Sequence, residues 1–277
     1  MTQLKAACVQ MRAKTEIDPN IADSSALIRE AAANGAQLVA TPEMTNLLDI
    51  RRGQAKGKLV KQAEDRSVRA FSELARELEI WLLIGSVAVR HDGDPRASNR
   101  SLLFEPTGKV AARYDKIHMF DVDVDDGQSY RESRSYRPGD VAVLAETPLG
   151  KIGMSICYDV RFPHLYRTLA QAGAEILTVP AAFTKVTGAA HWHTLLKARA
   201  IETGCFVLAP AQGGKHEDGR ETFGHSLIIA PWGEVLADSA GIEPGVIYAD
   251  LDLAKVADAR RRIPSLGLDV EMPLSRV

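Results

Sequence analysis

A thiol, a carboxylate and an ammonium each follow an apolar run in this 277-residue chain, and together they could hydrolyse an amide. Cys157 ends the run Ile152-Gly-Met-Ser-Ile-Cys, Glu43 follows Thr41-Pro42, and Lys116 follows Tyr114-Asp115. Amide hydrolysis through sulfur requires a nucleophile, a proton carrier and a place for developing negative charge. Cys157 can supply the first, and a nearby ammonium favours its thiolate. Glu43 can take the thiol proton, pass it to the departing amine and later activate water. Burial is expected to raise its pKa toward neutrality for that work, with Lys116 pulling the other way. Lys116 offers a fixed positive charge to the tetrahedral oxyanion. The backbone N–H of Tyr158, at a strand-to-helix turn, is a natural second donor. Singly these residue types carry little, because a cysteine ending an apolar strand is usually inert core and a glutamate after proline usually faces water. Their specificity lies in the combination.

Strand and helix patterns alternate along most of the chain, and the three residues fall at the ends of predicted strands. Period-two and period-3.6 patterning predicts strands over Leu4–Gln10, Ala36–Thr41 and Trp81–Val89, with helices over Ile21–Asn34 and Arg66–Glu79. Ser101–Glu105 and Val110–Tyr114 flank Pro106-Thr107-Gly108-Lys109 and read as a hairpin. Later come a strand over Ile152–Cys157, a helix over Pro163–Ala172, a strand over Glu175–Val179 and a helix over His193–Thr203. Two stretches recur in the same order. Gly35-Ala-Gln-Leu-Val-Ala-Thr-Pro42 echoes Gly173-Ala-Glu-Ile-Leu-Thr-Val-Pro180, and Ser101–Val110 echoes Ser226–Val235. Two similar halves with no Gly/Ser/Pro-rich linker predict one domain over residues 1–277, with two sheets face to face and helices outside. That is an α-β-β-α sandwich of the α/β class. Ligand sites in such folds form beyond the strand ends, where loops converge.

The flanking residues sharpen this reading. Thr41-Pro42-Glu43, Arg113-Tyr-Asp-Lys116-Ile-His118 and Ile156-Cys157-Tyr-Asp-Val-Arg161-Phe-Pro163 resemble the three signature blocks of the nitrilase (carbon–nitrogen hydrolase) superfamily, in the same order. Arg131-Glu132-Ser133, followed by Arg137-Pro-Gly-Asp140, is similar to the block carrying that family's second glutamate. The resemblance runs from the first strand to about Asp250. It implies the four-layer sandwich, a Glu43–Lys116–Cys157 mechanism with Glu132 positioning the lysine and substrate, no metal or cofactor, and at least a homodimer. The tail from about residue 252 is then expected at the dimer interface. Phe183-Thr-Lys-Val-Thr187-Gly-Ala-Ala-His-Trp192, Ala211-Gln-Gly-Gly-Lys-His216 and Gly224-His-Ser226 resemble motifs of the deaminated glutathione amidase branch. That likeness implies a 2-oxo acid amide as substrate, with omega-amidase action on 2-oxoglutaramate or N-carbamoyl amino acid hydrolysis as alternatives. Arg161 lies about one helical turn beyond Cys157 and could hold the substrate carboxylate in a bidentate fork, with Tyr158, Phe183 and Thr187 around it. Arg161 could also pair with Asp159 or Glu175.

Composition fits a soluble enzyme and excludes several other classes. Hydrophobic residues make up 45% and charged residues 25%, and the formal net charge of -2 gives no electrostatic attraction to nucleic acid or anionic membrane. The opening MTQLKAACVQ reads as a strand rather than an apolar leader, and no apolar run approaches membrane-spanning length. Three cysteines, Cys8, Cys157 and Cys205, make a disulfide framework improbable and point to a reducing, cytoplasmic setting. Cys8 and Cys205 are expected in apolar strands. His191 and His193 do not share a helix face, which argues against a metal pair. Cys157 and Arg161 are four apart, two short of a phosphate-cradling loop. A catalytically silent scaffold would be expected to have lost Glu43, Lys116 or Cys157, and all three are present.

Overall fold

The computed structural model describes residues 3–49, 51, 55–124 and 128–276. In chain order the regular elements are β1 (Gln3–Gln10), α1 (Ile17–Ala33), β2 (Leu38–Ala40), α2 (Arg66–Leu78), β3 (Trp81–Val89), β4 (Ser98–Phe104) and β5 (Val110–Asp115). A small hairpin, β6 (Asp121–Val124) and β7 (Gln128–Arg131), precedes β8 (Val143–Thr147), β9 (Gly150–Met154), α3 (Pro163–Gln171) and β10 (Ile176–Thr178). Then come α4 (Lys185–Thr203), β11 (Phe206–Ala209), β12 (Gly213–Lys215), β13 (Glu221–Phe223), β14 (Leu227–Ile229), β15 (Val235–Asp238), β16 (Gly245–Asp252) and α5 (Ala254–Arg262).

Two six-stranded sheets form, in the orders β16-β1-β2-β3-β4-β5 and β8-β9-β10-β11-β14-β15. Their pairing patterns are the same. The first four junctions run antiparallel, parallel, parallel, antiparallel, and each sheet ends in an antiparallel hairpin. The two sequence echoes occupy equivalent places: residues 35–42 and 173–180 build β2 and β10, while residues 101–110 and 226–235 build the β4–β5 and β14–β15 hairpins.

Side-chain alternation sorts the layers. On β1, Leu4, Ala6 and Cys8 join Ile152, Met154 and Leu227 in the core between the sheets, and the Cys8 thiol lies 3.9 Å from the Leu227 carbonyl oxygen. Ala7 and Val9 face the other way, onto Ile28 of α1 and Phe71 and Leu74 of α2. Helix α2 presents Val68, Phe71, Leu74 and Ala75 at helical spacing, and Asp65 caps it by accepting from Ser67 N and Val68 N at 2.7 and 3.3 Å. Leu169 of α3 and Leu196 and Ala200 of α4 pack against the second sheet. The four expected layers are all present. No helix among the described residues is long and apolar enough to cross a membrane.

Four local departures from the sequence expectation have physical causes. Helix α1 starts at Ile17 rather than Ile21. Strand β9 ends at Met154, and Cys157 opens a 3-10 turn instead of closing a strand, because its N–H donates to Pro180 O and its φ is +48°. Helix α4 begins at Lys185, eight residues before the predicted His193, so Thr187, His191 and His193 all lie on it. Its first turns carry little apolar pattern, and Gly188 is required because any Cβ there would meet Phe223 Cβ at 2.3 Å and its ring at 2.4 Å. Cys205 sits just ahead of β11, after Gly204 terminates α4 in the left-handed conformation.

Candidate active site

Glu43, Lys116 and Cys157 meet where β2, β5 and β9 end. Glu43 is carried by the turn after β2, where Met44 N donates to Ser86 Oγ at 2.8 Å and Gln212 Nε2 donates to the Glu43 carbonyl at 3.0 Å. Lys116 continues β5, its N–H donating to Asn99 O at 2.9 Å. Its ammonium donates to Glu43 Oε1 at 2.9 Å and to both oxygens of Glu132 at 3.1 and 2.9 Å. The other Glu43 oxygen accepts from Ala182 N at 2.8 Å, and the Cys157 thiol is close enough to the same carboxylate to feel its charge, so Glu43 stands between cation and thiol. Glu132 is fixed in turn by Phe120 N at 2.7 Å. Lys116 and Glu43 are almost fully buried. A charged cluster survives there because every member has an opposite charge or an N–H to meet.

Burial pushes Glu43 upward, but the Lys116 charge and hydrogen bond, the Cys157 thiol and the Ala182 N–H together outweigh it and hold the carboxyl below its usual range. The sequence had suggested a net rise, but the lysine prevails. Burial alone would lower Lys116, yet Glu132 and Glu43 raise it well above the ordinary lysine value. Burial and the Glu43 charge raise Cys157 well above an ordinary thiol, with Lys116 opposing. The resting site is therefore carboxylate, ammonium and neutral thiol. An ionised carboxylate stands beside the thiol, where it could take the proton.

Two residues to which the sequence assigned no role in the site complete the arrangement. Asn99, buried on β4, donates through Nδ2 to Glu43 Oε1 at 2.8 Å and to Glu132 Oε1 at 3.2 Å, clamping the two acids around the lysine. An asparagine inside a strand was the available signal, since strands disfavour it. Asp159 accepts from Ile156 N at 2.8 Å and Tyr114 Oη at 2.7 Å through one oxygen. Its other oxygen takes His118 N at 3.0 Å and faces His118 Nδ1 at 2.7 Å. It thus ties the Cys157 turn to residues on either side of Lys116. The Tyr158 N–H donates to no described group, as expected for the first turn of a short helix, and so stays free for an oxyanion.

A cavity of about 710 Å³ opens onto Glu43, Lys116, Glu132 and Cys157, within the range of small-molecule sites. Tyr158, Phe183 and Thr187 are among the residues that line it. Thr187 Oγ1 lies 2.7 Å from Thr184 Oγ1, and the Phe183 ring packs on Trp192 at 5.0 Å. Arg161 does not line the cavity. Its guanidinium stacks 5.3 Å from the Phe183 ring centroid and meets His191 Nδ1 at 3.3 Å, pairing with neither Asp159 nor Glu175. Several other arginines do reach the wall, and Arg51, Arg96 and Arg131 are paired with Asp49, Asp94 and Asp123.

Away from the cavity, His193, His225 and Asp238 bring their ligand-type atoms within 4.8 Å of one another. Asp238 lies 3.0 Å from His193 Nε2 and 3.2 Å from His225 Nδ1, which joins α4 to β15 through hydrogen bonds. His193 thus meets His225 rather than the His191 weighed from sequence.

Comparison with known proteins places the family and the fold. Residues 5–261 match the family described as "Carbon-nitrogen hydrolase". A deaminated glutathione amidase of Synechocystis sp. (strain PCC 6803 / GT-S) is 40% identical over 264 residues, which is 94% of this chain and 96% of that protein. The omega-amidase NIT2 of Homo sapiens is 35% identical over 264 residues, 95% of this chain and 94% of that one. Nit3 of Saccharomyces cerevisiae, a solved member of branch 10 of the nitrilase superfamily, superposes with a TM-score of 0.85 at 29% identity, covering 95% of this chain and 94% of that structure.

Proposed function

Because this chain belongs to the carbon-nitrogen hydrolase family, we propose that it cleaves the amide of a 2-oxo acid, with deaminated glutathione as substrate and 2-oxoglutarate and cysteinylglycine as products. The observation that carries the chemistry is the placement of Glu43 between Lys116, which it bonds, and the Cys157 thiol, whose proton its charge holds. The thiol attacks the amide carbonyl as Glu43 takes its proton. Lys116 Nζ and the Tyr158 N–H face the oxyanion, and Glu132 and Asn99 keep the lysine in register. Collapse expels the amine, which leaves with the proton from Glu43, and a Cys157 thioester remains. Water then gives a proton to Glu43 and attacks the thioester; the acid departs and the proton returns to sulfur. No metal or cofactor enters this sequence.

Tyr158, Phe183 and Thr187 bound the 2-oxo acid moiety in this reading, and Arg161 acts through the ring of Phe183 on which it stacks. The human relative supports a second reading, omega-amidase action on 2-oxoglutaramate. The test is to incubate the pure protein with each compound, alongside nitriles and N-carbamoyl amino acids, and to follow 2-oxoglutarate release. A higher kcat/KM for deaminated glutathione supports the first reading, and preference for 2-oxoglutaramate the second. Turnover of carbamoyl compounds or nitriles alone would overturn both.

The protein acts as a homodimer in a reducing compartment on this proposal. Beyond α5, Leu268, Val270, Met272 and Leu274 are 70–83% exposed at alternating positions, as in a strand with one face uncovered. Asp269, between two of them, pairs with Arg167 of α3 and so directs the segment along that helix. A second copy of the chain is the proposed cover.

A further inference from the structure

Among the charged side chains of the cavity wall, Arg220 differs from the paired arginines described above. It stands on the turn between β12 and β13, the hairpin that seats Phe183 and α4: Phe223 N donates to Phe183 O at 2.9 Å, and Thr222 bridges Thr184. Its backbone is set by an Asx turn, Arg220 N donating to Asp218 Oδ1 at 3.0 Å. Its guanidinium makes no hydrogen bond or ion pair with any described residue, and its Nε is buried without an acceptor. A partly buried guanidinium with an unmet N–H is costly unless an anion completes it. Its charge falls on the Tyr136 phenol, whose hydroxyl contacts Met44 Sδ at 3.9 Å, and Tyr136 and Met44 are themselves part of the wall.

The catalytic cluster uses none of this charge. Lys116 is matched by Glu43 and Glu132. We infer that Arg220 is a specificity-determining residue that binds a carboxylate on the substrate remote from the scissile amide, selecting dianionic amides of peptide length over short monoanionic ones. The inference deepens the amidase reading proposed above and rests on it. The planar guanidinium suits a carboxylate through two parallel N–H bonds, a geometry that lysine cannot copy. The cavity volume also leaves room for more than a five-carbon acid amide.

The test compares wild type, Arg220→Gln and Arg220→Lys on deaminated glutathione, which carries two carboxylates, and 2-oxoglutaramate, which carries one. Arg220→Gln should raise KM for the dianion about tenfold or more, the loss expected of a charge-assisted pair, with kcat and the monoanion's KM little changed. Arg220→Lys should recover only part of the difference. Equal losses on both substrates, or none, would overturn the inference. A second arm does not depend on turnover: azelate, a plain dicarboxylate longer than the five-carbon acyl chain, should protect Cys157 from iodoacetamide in wild type and about tenfold less well in Arg220→Gln. If neither amide is hydrolysed but this protection difference holds, the substrate reading fails while the anion subsite stands. If protection is the same in both proteins, the subsite fails.

Discussion

At the scale of single residues, the site works by balancing charges. One lysine is shared by two glutamates, and the glutamate nearer the thiol bonds the cation and holds the thiol protonated by its charge. Among the described contacts Glu132 has none with the thiol and two with the Lys116 ammonium, so the role proposed for it is to hold Lys116. Glu132→Gln keeps an acceptor for Phe120 N–H and for the lysine but removes one charge. It should lower kcat by about 10²-fold with KM little changed, the size of loss expected when a catalytic group drifts by about an ångström. An unchanged kcat would return Glu132 to a bystander role. The pH profile follows from Glu43. Its carboxyl lies below the ordinary value of 4.5, so it is already ionised, and competent as a base, throughout the neutral range. In the wild-type enzyme kcat/KM should hold steady as pH falls to about 5, with the acid limb appearing lower still. A limb centred near pH 7 would mean that burial, not Lys116, controls the glutamate.

At the scale of elements, the three reactive residues are held by turns that the strands cannot form without close backbone approach. Gly85 on β3 is the clearest case. A Cβ there would lie 2.1 Å from Thr41 O, 2.4 Å from Pro42 O and 2.5 Å from Pro180 Cβ, so one missing methyl lets the Glu43 turn and the Cys157 acceptor loop meet. Gly85→Ala should cost about 1–3 kcal/mol of stability by overpacking and lower kcat as well, since both turns must shift. Gly245→Ala, with nothing within 4 Å, is the matched control for thermal unfolding and turnover. An unaltered Tm and kcat in Gly85→Ala would show that the turns are not so tightly set. This scale also separates what the sequence could reveal from what it could not. Strongly periodic elements such as α2 and β3 were legible almost to the residue, because their burial pattern is written in side chains. The start of α4 was not, because Gly188 answers to its close contact with Phe223, a long-range demand. Glu43, Lys116 and Cys157 were legible through their flanking blocks. The roles of Asn99 and Asp159 were not, because each acts on residues more than 30 positions away. Arg161 read from spacing alone belonged in the cavity, but stacking on Phe183 draws it aside.

At the scale of the whole molecule, two half-chains with the same sheet order pack their faces together, and the site forms at the shared strand ends. The Glu43 turn and Lys116 belong to the first sheet and Cys157 to the second, so the sandwich itself sets the distance between base and nucleophile. The exposed tail is the remaining whole-molecule feature. Deleting residues 268–276 should leave the fold intact but shift the protein from dimer toward monomer in sedimentation velocity at micromolar concentration. An unchanged dimer would place the interface elsewhere. The central claim concerns Glu43 as the base that deprotonates a resting thiol. Alkylation of Cys157 by iodoacetamide, followed by mass spectrometry at pH 7 in wild type and Glu43→Gln, tests it with opposite signs. Removing the carboxylate's charge should lower the thiol pKa, so a resting thiolate would react at least as fast in the variant. If Glu43 is the base, its loss should slow modification by about 10²-fold or more, while buried Cys8 and Cys205 remain unmodified in both proteins. Equal or faster labelling of Cys157 in Glu43→Gln would contradict the account.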